Sequence, residues 1–152
     1  MKKNQETKEK ICAFYASDYH FEMVSLPYIE RKIEEKNKVY ILTENNLEES
    51  IKTLISRMNL EENKKNKILN INWKNDDLNK FKEMKNENKD MTIFIKGTEN
   101  YIKNINRNIE KWVNLNEVKI VDCYDIEQVA DNLDNIMSKY GKVLGTAGIK
   151  EI

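Results

Sequence analysis

Residues 39–58 read VYILTENNLEESIKTLISRM, and two periods meet inside them. Val39-Tyr40-Ile41-Leu42 is a short run of β-branched, aromatic and aliphatic residues, the composition of a buried strand. After the polar break Thr43-Glu44-Asn45-Asn46, the residues Leu47, Ile51, Leu54, Ile55 and Met58 follow at spacings of 4, 3, 1 and 3, which is the period of a one-sided helix. Asn45 or Asn46 can cap the free amides of that helix, and Glu48 and Glu49 lie in its first turn, where the helix dipole favours acid. A buried strand leading into a one-sided helix is the repeating unit of a parallel sheet, because parallel neighbours can only be joined by a crossover.

The unit recurs on both sides. Upstream, Ile11-Cys12-Ala13-Phe14-Tyr15-Ala16 precedes a helical segment from Tyr19 to Lys36, in which Phe21, Val24, Ile29 and Ile33 share a side and Pro27 predicts a kink or two short helices. Downstream, Ile68-Leu69-Asn70-Ile71-Asn72-Trp73 alternates apolar and polar residues and reads as a third strand near a sheet edge, with a helix through Leu78, Phe81 and Met84 behind it. Met91 to Ile95 is the fourth strand, closed by Lys96-Gly97-Thr98, with Thr98 capping a helix that carries Ile102, Ile105, Ile109, Trp112 and Val113. Val118 to Tyr124 is the fifth, and its helix runs through Ile126, Val129, Leu133, Ile136 and Tyr140 to a stop at Gly141. The closing segment, with Val143 and Leu144, is a short sixth strand or a loose tail. Residues 1–10 are polar and unpatterned and read as a disordered tail, which leaves 11–152 as a single domain.

The expected fold is therefore an α/β three-layer αβα sandwich on a mostly parallel sheet of five strands, or six with the closing segment. Periodicity does not give strand order. A flavodoxin-like 2-1-3-4-5 order and the permuted order of RecA-type domains both fit, and both put a crevice at the carboxyl ends of the strands.

Composition narrows the function classes. The 26 basic and 26 acidic residues cancel, and they divide evenly, 14 and 12 in residues 1–75 against 12 and 14 in the rest, so no basic stripe points to nucleic acid or to a membrane surface. There is no run of 18 apolar residues and no secretory leader, so the expected location is cytoplasmic. Cys12 and Cys123 lie inside apolar runs and read as buried thiols, not as a disulfide or a zinc site.

The strand-end loops hold the candidate chemistry. Phosphate binding needs G-x-x-x-x-G-K-[ST] or G-x-G-x-x-G after a strand, so that bare amides can close on the anion. The first turn is instead Ala16-Ser17-Asp18-Tyr19-His20, and Lys96-Gly97-Thr98 lacks the upstream glycine, so neither ATP nor NAD, nor any other cofactor, is expected. Asp18, Glu44, Asp76 and Asp77 could face a hard cation but are equally helix caps, and no metal site is assigned. Asp18 with His20, joined by Glu44 if the first two strands are adjacent, would make an acid–base group. Tyr19, His20 and Trp73 read as the aromatic rim of a ligand or partner site. The candidate ligand-binding residues are thus Asp18, Tyr19, His20, Glu44 and Trp73. They suit a non-catalytic sensor or regulatory domain that binds a small ligand or a protein partner, ahead of a small enzyme using Asp18, His20 and Glu44, or an oligomerising structural module.

One stretch carries a resemblance. Ile11-Cys12 with Phe14-Tyr15, then Pro27-Tyr28-Ile29, then Val39-Tyr40-Ile41 resembles the opening of the MEDS family, the DcmR-type sensory domains related to KaiC and other RecA-like folds but lacking their nucleotide loop. Lys10 stands where that family often has a His, and Lys32 where it commonly has a Gly. The resemblance covers about a quarter of the chain and ends after Glu44. It implies a RecA-like domain that senses a small molecule or docks a signalling partner without hydrolysing ATP, and it transfers no catalytic residue.

Overall fold

The computed structural model describes residues 8–111 and 118–152, with side chains from Lys10 onward. Strands β1 (Lys8–Tyr15), β2 (Lys38–Thr43), β3 (Met91–Gly97), β4 (Val118–Asp125), β5 (Lys142–Gly145) and β6 (Gly148–Glu151) form one sheet in the order β2-β3-β4-β1-β5-β6. All pairs are parallel except β5 with β6, which form a hairpin turned at Gly148, a glycine with φ of 107°. The closing segment is thus two strands, and β1 begins three residues earlier than the sequence suggests. Residues 1–7, read as part of the tail, and Trp112 and Val113 lie outside the described residues.

Helices α1 (Asp18–Glu34), α2 (Glu48–Arg57) and α3 (Glu62–Leu69) cover one face of the sheet; α4 (Asp77–Lys85), α5 (Glu99–Glu110), α6 (Ile126–Val129) and α7 (Leu133–Met137) cover the other. Strand alternation sorts the core between them. Ile11, Ala13, Tyr15, Ile41, Phe94 and Val121 pack with Phe21, Tyr28, Ile51 and Ile55, while Cys12, Tyr40, Ile93, Ile95 and Ile120 pack with Met84, Ile102, Ile105 and Ile109. The result is the three-layer sandwich. Most aromatics of the first unit are core, with Phe21 and Tyr28 meeting Phe94 edge-on at 6.4 and 6.1 Å.

Three expectations are corrected. Of the two alternatives at Pro27, two short helices fail, because α1 is one 17-residue helix with the proline inside it; Pro27 is exposed, where the carbonyl it leaves unpaired can take water. The flavodoxin-like order fails, because β1 lies between β4 and β5 and not beside β2. The third strand does not form: Ile68 and Leu69 end α3, and Asn70 closes that helix through its amide to Asn66. Glu62 to Lys67 is a polar run without β-branched residues, and of the four apolar residues in the alternating stretch only Ile68 and Trp73 end fully buried, Ile71 packing in part and Leu69 staying exposed, too little for a strand covered on both faces. Beside the vacant edge, Lys80 of α4 is 1% exposed, and its Nζ donates to the carbonyls of Ile41 and Lys74. Even-numbered residues of β2 face β3, as the Glu44 amide does in bonding to Lys96 O, so the Ile41 carbonyl lies on the open side and the ammonium seals it.

β1 hands the chain to α1 on one face and its neighbour β4 hands it to α6 on the other, so a topological switch point falls at their carboxyl ends.

Candidate functional site

The carboxyl ends of the strands are tied together by side chains. Lys96, one residue before the end of β3, points onto the α1 face over the rings of Tyr15 at 4.7 Å and Phe21 at 5.7 Å. Its Nζ is 2.9 Å from Asp18 Oδ1 and donates to Asn45 Oδ1 at 2.9 Å, while Asn45 Nδ2 donates to Asp18 Oδ2 at 2.9 Å. The three side chains close a ring. The ammonium is buried, with its side chain 4% exposed, and the carboxylate is at the surface at 42%. Two rings and two oxygens thus replace the water that the cation loses.

Glu44 does a different job. Its Oε1 accepts from the Thr98 amide at 2.7 Å, supplementing the Thr98 hydroxyl that caps Tyr101 N at 3.2 Å. A Cβ at Gly97 would stand 2.5 Å from Glu44 Oε1 and 2.6 Å from Tyr101 Cδ2, so the glycine makes room for this carboxylate. Next to it Tyr101 donates to Asp77 Oδ2 at 2.7 Å, and burial followed by that hydrogen bond drives the phenol pKa far upward.

His20 is spent on its own turn. Its Nδ1 accepts from the Ala16 amide at 2.8 Å and its amide donates to Ser17 Oγ at 3.1 Å. No hydrogen bond joins it to Glu44 among the described residues, so Asp18, His20 and Glu44 share an end of the sheet without forming an acid–base relay. Tyr19 is 59% exposed and, with Met23 one turn on, borders a hollow of about 400 Å3 completed by Leu54 and Arg57 of α2 and by Met58, which caps that helix. Trp73 corrects the expectation of a rim aromatic: it is 2% exposed, its Nε1 donates to Ile68 O at 2.9 Å, and it is a core residue.

Beneath this end lies a residue that the sequence reading missed. Glu22 of α1 is fully buried; Ser50 of α2 is near enough to favour its charged form, yet neither carboxyl oxygen has a hydrogen-bond partner of good geometry. Burial pushes its pKa from 4.5 up to about 7, with Asp18 adding to the rise.

A second polar cluster sits on the opposite face, in the middle of the sheet. Asp122 of β4 is 0% exposed; its Oδ1 accepts from Asn106 Nδ2 at 3.0 Å and its Oδ2 from Tyr140 OH at 2.6 Å, with Lys10 Nζ 3.3 Å away. The Tyr140 and Tyr124 hydroxyls are 2.6 Å apart. Burial, then Asp122, holds the Tyr140 phenol far above its usual range, and burial pushes Tyr124 up to about 12. The signal for both clusters was present as a charge inside an apolar strand run, Ile95-Lys96 and Val121-Asp122.

Nucleophiles and metal ligands are not assembled at either place. Burial raises the Cys12 thiol to about 11 and Cys123 well above its ordinary value, so neither is a thiolate at neutral pH. No group of three or more His, Cys, Asp or Glu is placed to hold a metal ion among the described residues. Nor is any helix among them long and apolar enough to cross a membrane. Compared with protein-family models, with curated proteins and with solved structures, the chain matches none.

Proposed function

We propose that the chain is a non-catalytic sensor or regulatory domain that binds a small ligand or a protein partner at the carboxyl ends of its strands. The observation that carries this is the turn after β1. At the switch point, where a nucleotide-binding α/β domain offers bare amides, the Ala16 amide is taken by His20 Nδ1, the His20 amide by Ser17 Oγ, and Asp18 adds a carboxylate bound to Lys96. A phosphate would meet a carboxylate, with two of the turn's amides already taken. The permuted strand order, with β1 between β4 and β5, supports a RecA-like reading and with it the MEDS resemblance of residues 11–44.

The partner form of the reading draws on the exposed Tyr19 and Met23 beside the α1–α2 hollow, an aromatic and a thioether of the kind that anchors interfaces. The test is a thermal-shift series. ATP, ADP and NAD should leave the melting temperature unchanged, whereas a true ligand at a hundred times its Kd adds about 2.7 kcal/mol and is readily seen. A rise with ATP, or ATP hydrolysis by the purified chain, overturns the reading. A metabolite panel without any effect removes the small-ligand form and leaves the protein partner.

A further inference from the structure

We propose that the groove over Asp122, between α5 and the turn after α7, is a second binding site, taking a small amphipathic carboxylate whose apolar body carries a hydrogen-bond donor. It lies on the face of the sheet opposite to Lys96 and Asp18 and does not depend on the strand-end reading. The cavity is about 270 Å3, the small end of ligand sites.

Proton bookkeeping defines what its floor offers. Asp122, a carboxylate paired with Lys10, can only accept, so the single proton of Tyr140 goes to Asp122. Tyr140 must then accept from Tyr124, because their oxygens are 2.6 Å apart and only the Tyr124 proton is left to bridge them. The Tyr124 oxygen therefore keeps lone pairs for a donor in the groove. Asn106 spends its amide nitrogen on Asp122 and on Ile102 O, and its carbonyl oxygen accepts no bond among the described residues. The floor thus presents acceptors. Lys10 gives one N–H to Asp122 and, at 36% exposure, has others to spare.

Ile102 and Ile136 supply apolar walls. Lys103, Arg107 and Lys139 stand in the lining, and none of them has an ion-pair partner among the described residues. Glu99 and Glu110, at the two ends of α5, are the remaining charges, so cations outnumber anions once the Lys10–Asp122 pair is set aside. A ligand with an N–H toward Tyr124 and Asn106, a flat apolar body on the isoleucines and a carboxylate at the cations satisfies each group.

The probe is indole-3-acetate, titrated into 15N-labelled full-length chain. Saturable shifts should map to residues 102–107 and 136–140, and tryptamine, which replaces the carboxylate by an ammonium, should not bind there. The triple variant Lys103→Ala, Arg107→Ala, Lys139→Ala alters exposed side chains; its spectrum should keep the native dispersion while its affinity falls by about tenfold or more. Tyr124→Phe should weaken indole-3-acetate but not naphthalene-1-acetate, which lacks the donor. Shifts at the strand-end loops instead, no saturation, or equal affinity in the triple variant overturns the proposal.

Discussion

The two faces of the sheet each carry a lysine–aspartate pair, and the pairs are mirror images in burial. At the strand ends the cation is buried and the acid exposed, Lys96 at 4% and Asp18 at 42%; over β4 the acid is buried and the cation half-exposed, Asp122 at 0% and Lys10 at 36%. Each has an asparagine, Asn45 or Asn106, and a pair of aromatic rings as auxiliaries. What differs is the auxiliary chemistry. Ring faces, of Tyr15 and Phe21, stabilise the buried cation, and a tyrosine hydroxyl stabilises the buried anion, so the sign of the buried charge dictates which part of the aromatic side chain is turned to it. The ring of Lys96, Asp18 and Asn45 closes on itself, whereas the Asp122 cluster leaves acceptors over.

That mirror relation is broken most severely by Lys10→Met, which strips the ion partner from a fully buried carboxylate. We expect a loss of about 3 kcal/mol in urea unfolding, most of it recovered when Asp122→Leu is added, since an apolar replacement of the whole pair removes the unpaired charge. Asp18→Ala leaves the cation buried but still over two rings and bonded to Asn45 Oδ1, so the loss should be smaller, about 2 kcal/mol. Equal losses in the two variants would dissolve the distinction between ring and hydroxyl support.

Glu22, buried beside the Lys96 cluster, sharpens the comparison through pH. Its folded pKa is raised, so the folded state binds more protons than the unfolded one between 4.5 and about 7, and its contribution to stability is lost as pH rises through that window. Glu22→Gln should flatten the wild-type decline and stabilise the chain at pH 8 by about 2 kcal/mol, read from melting curves across the window. Gly97→Ala places a methyl 2.5 Å from the flexible end of Glu44, which it pushes from the Thr98 amide, and 2.6 Å from the Tyr101 ring, which must tilt at an overpacking cost of about 1 kcal/mol. A cap loss of about 1 kcal/mol should appear, with faster hydrogen exchange at Thr98 and Tyr101.

The periods of the sequence were enough to place β1 to β4 and the helices α1, α2, α4 and α5, because side chains at spacings of 2 and 3.6 leave a direct trace; β5 stayed one of two alternatives, and α3 and β6 were missed. Ile68 to Trp73 shows where that trace misleads: alternation over six residues is shared by a strand and by a helix end followed by a turn, and burial of Trp73 decided between them. Strand order left no trace, since it is set by which edges meet in three dimensions. Asp18 and Glu44 were found as loop acids, but their partners Lys96 and Thr98 lie more than 50 residues away in sequence and were assigned to a turn. Asp122 and Lys10 were passed over because a charge in a strand run resembles an interruption until the opposite charge is seen on the neighbouring strand.

The ammonium of Lys80 at the margin of β2 gives the molecule a built-in gauge. Burial lowers its pKa to about 8, a shift that lasts only while the amine is covered, and at 1% exposure a reagent reaches it only when that margin of the sheet comes open and the amine reacts as an ordinary lysine. Acylation of this one nitrogen against time therefore clocks the breathing of β2, and each acylated molecule has lost the guard that keeps a foreign strand from lengthening the sheet.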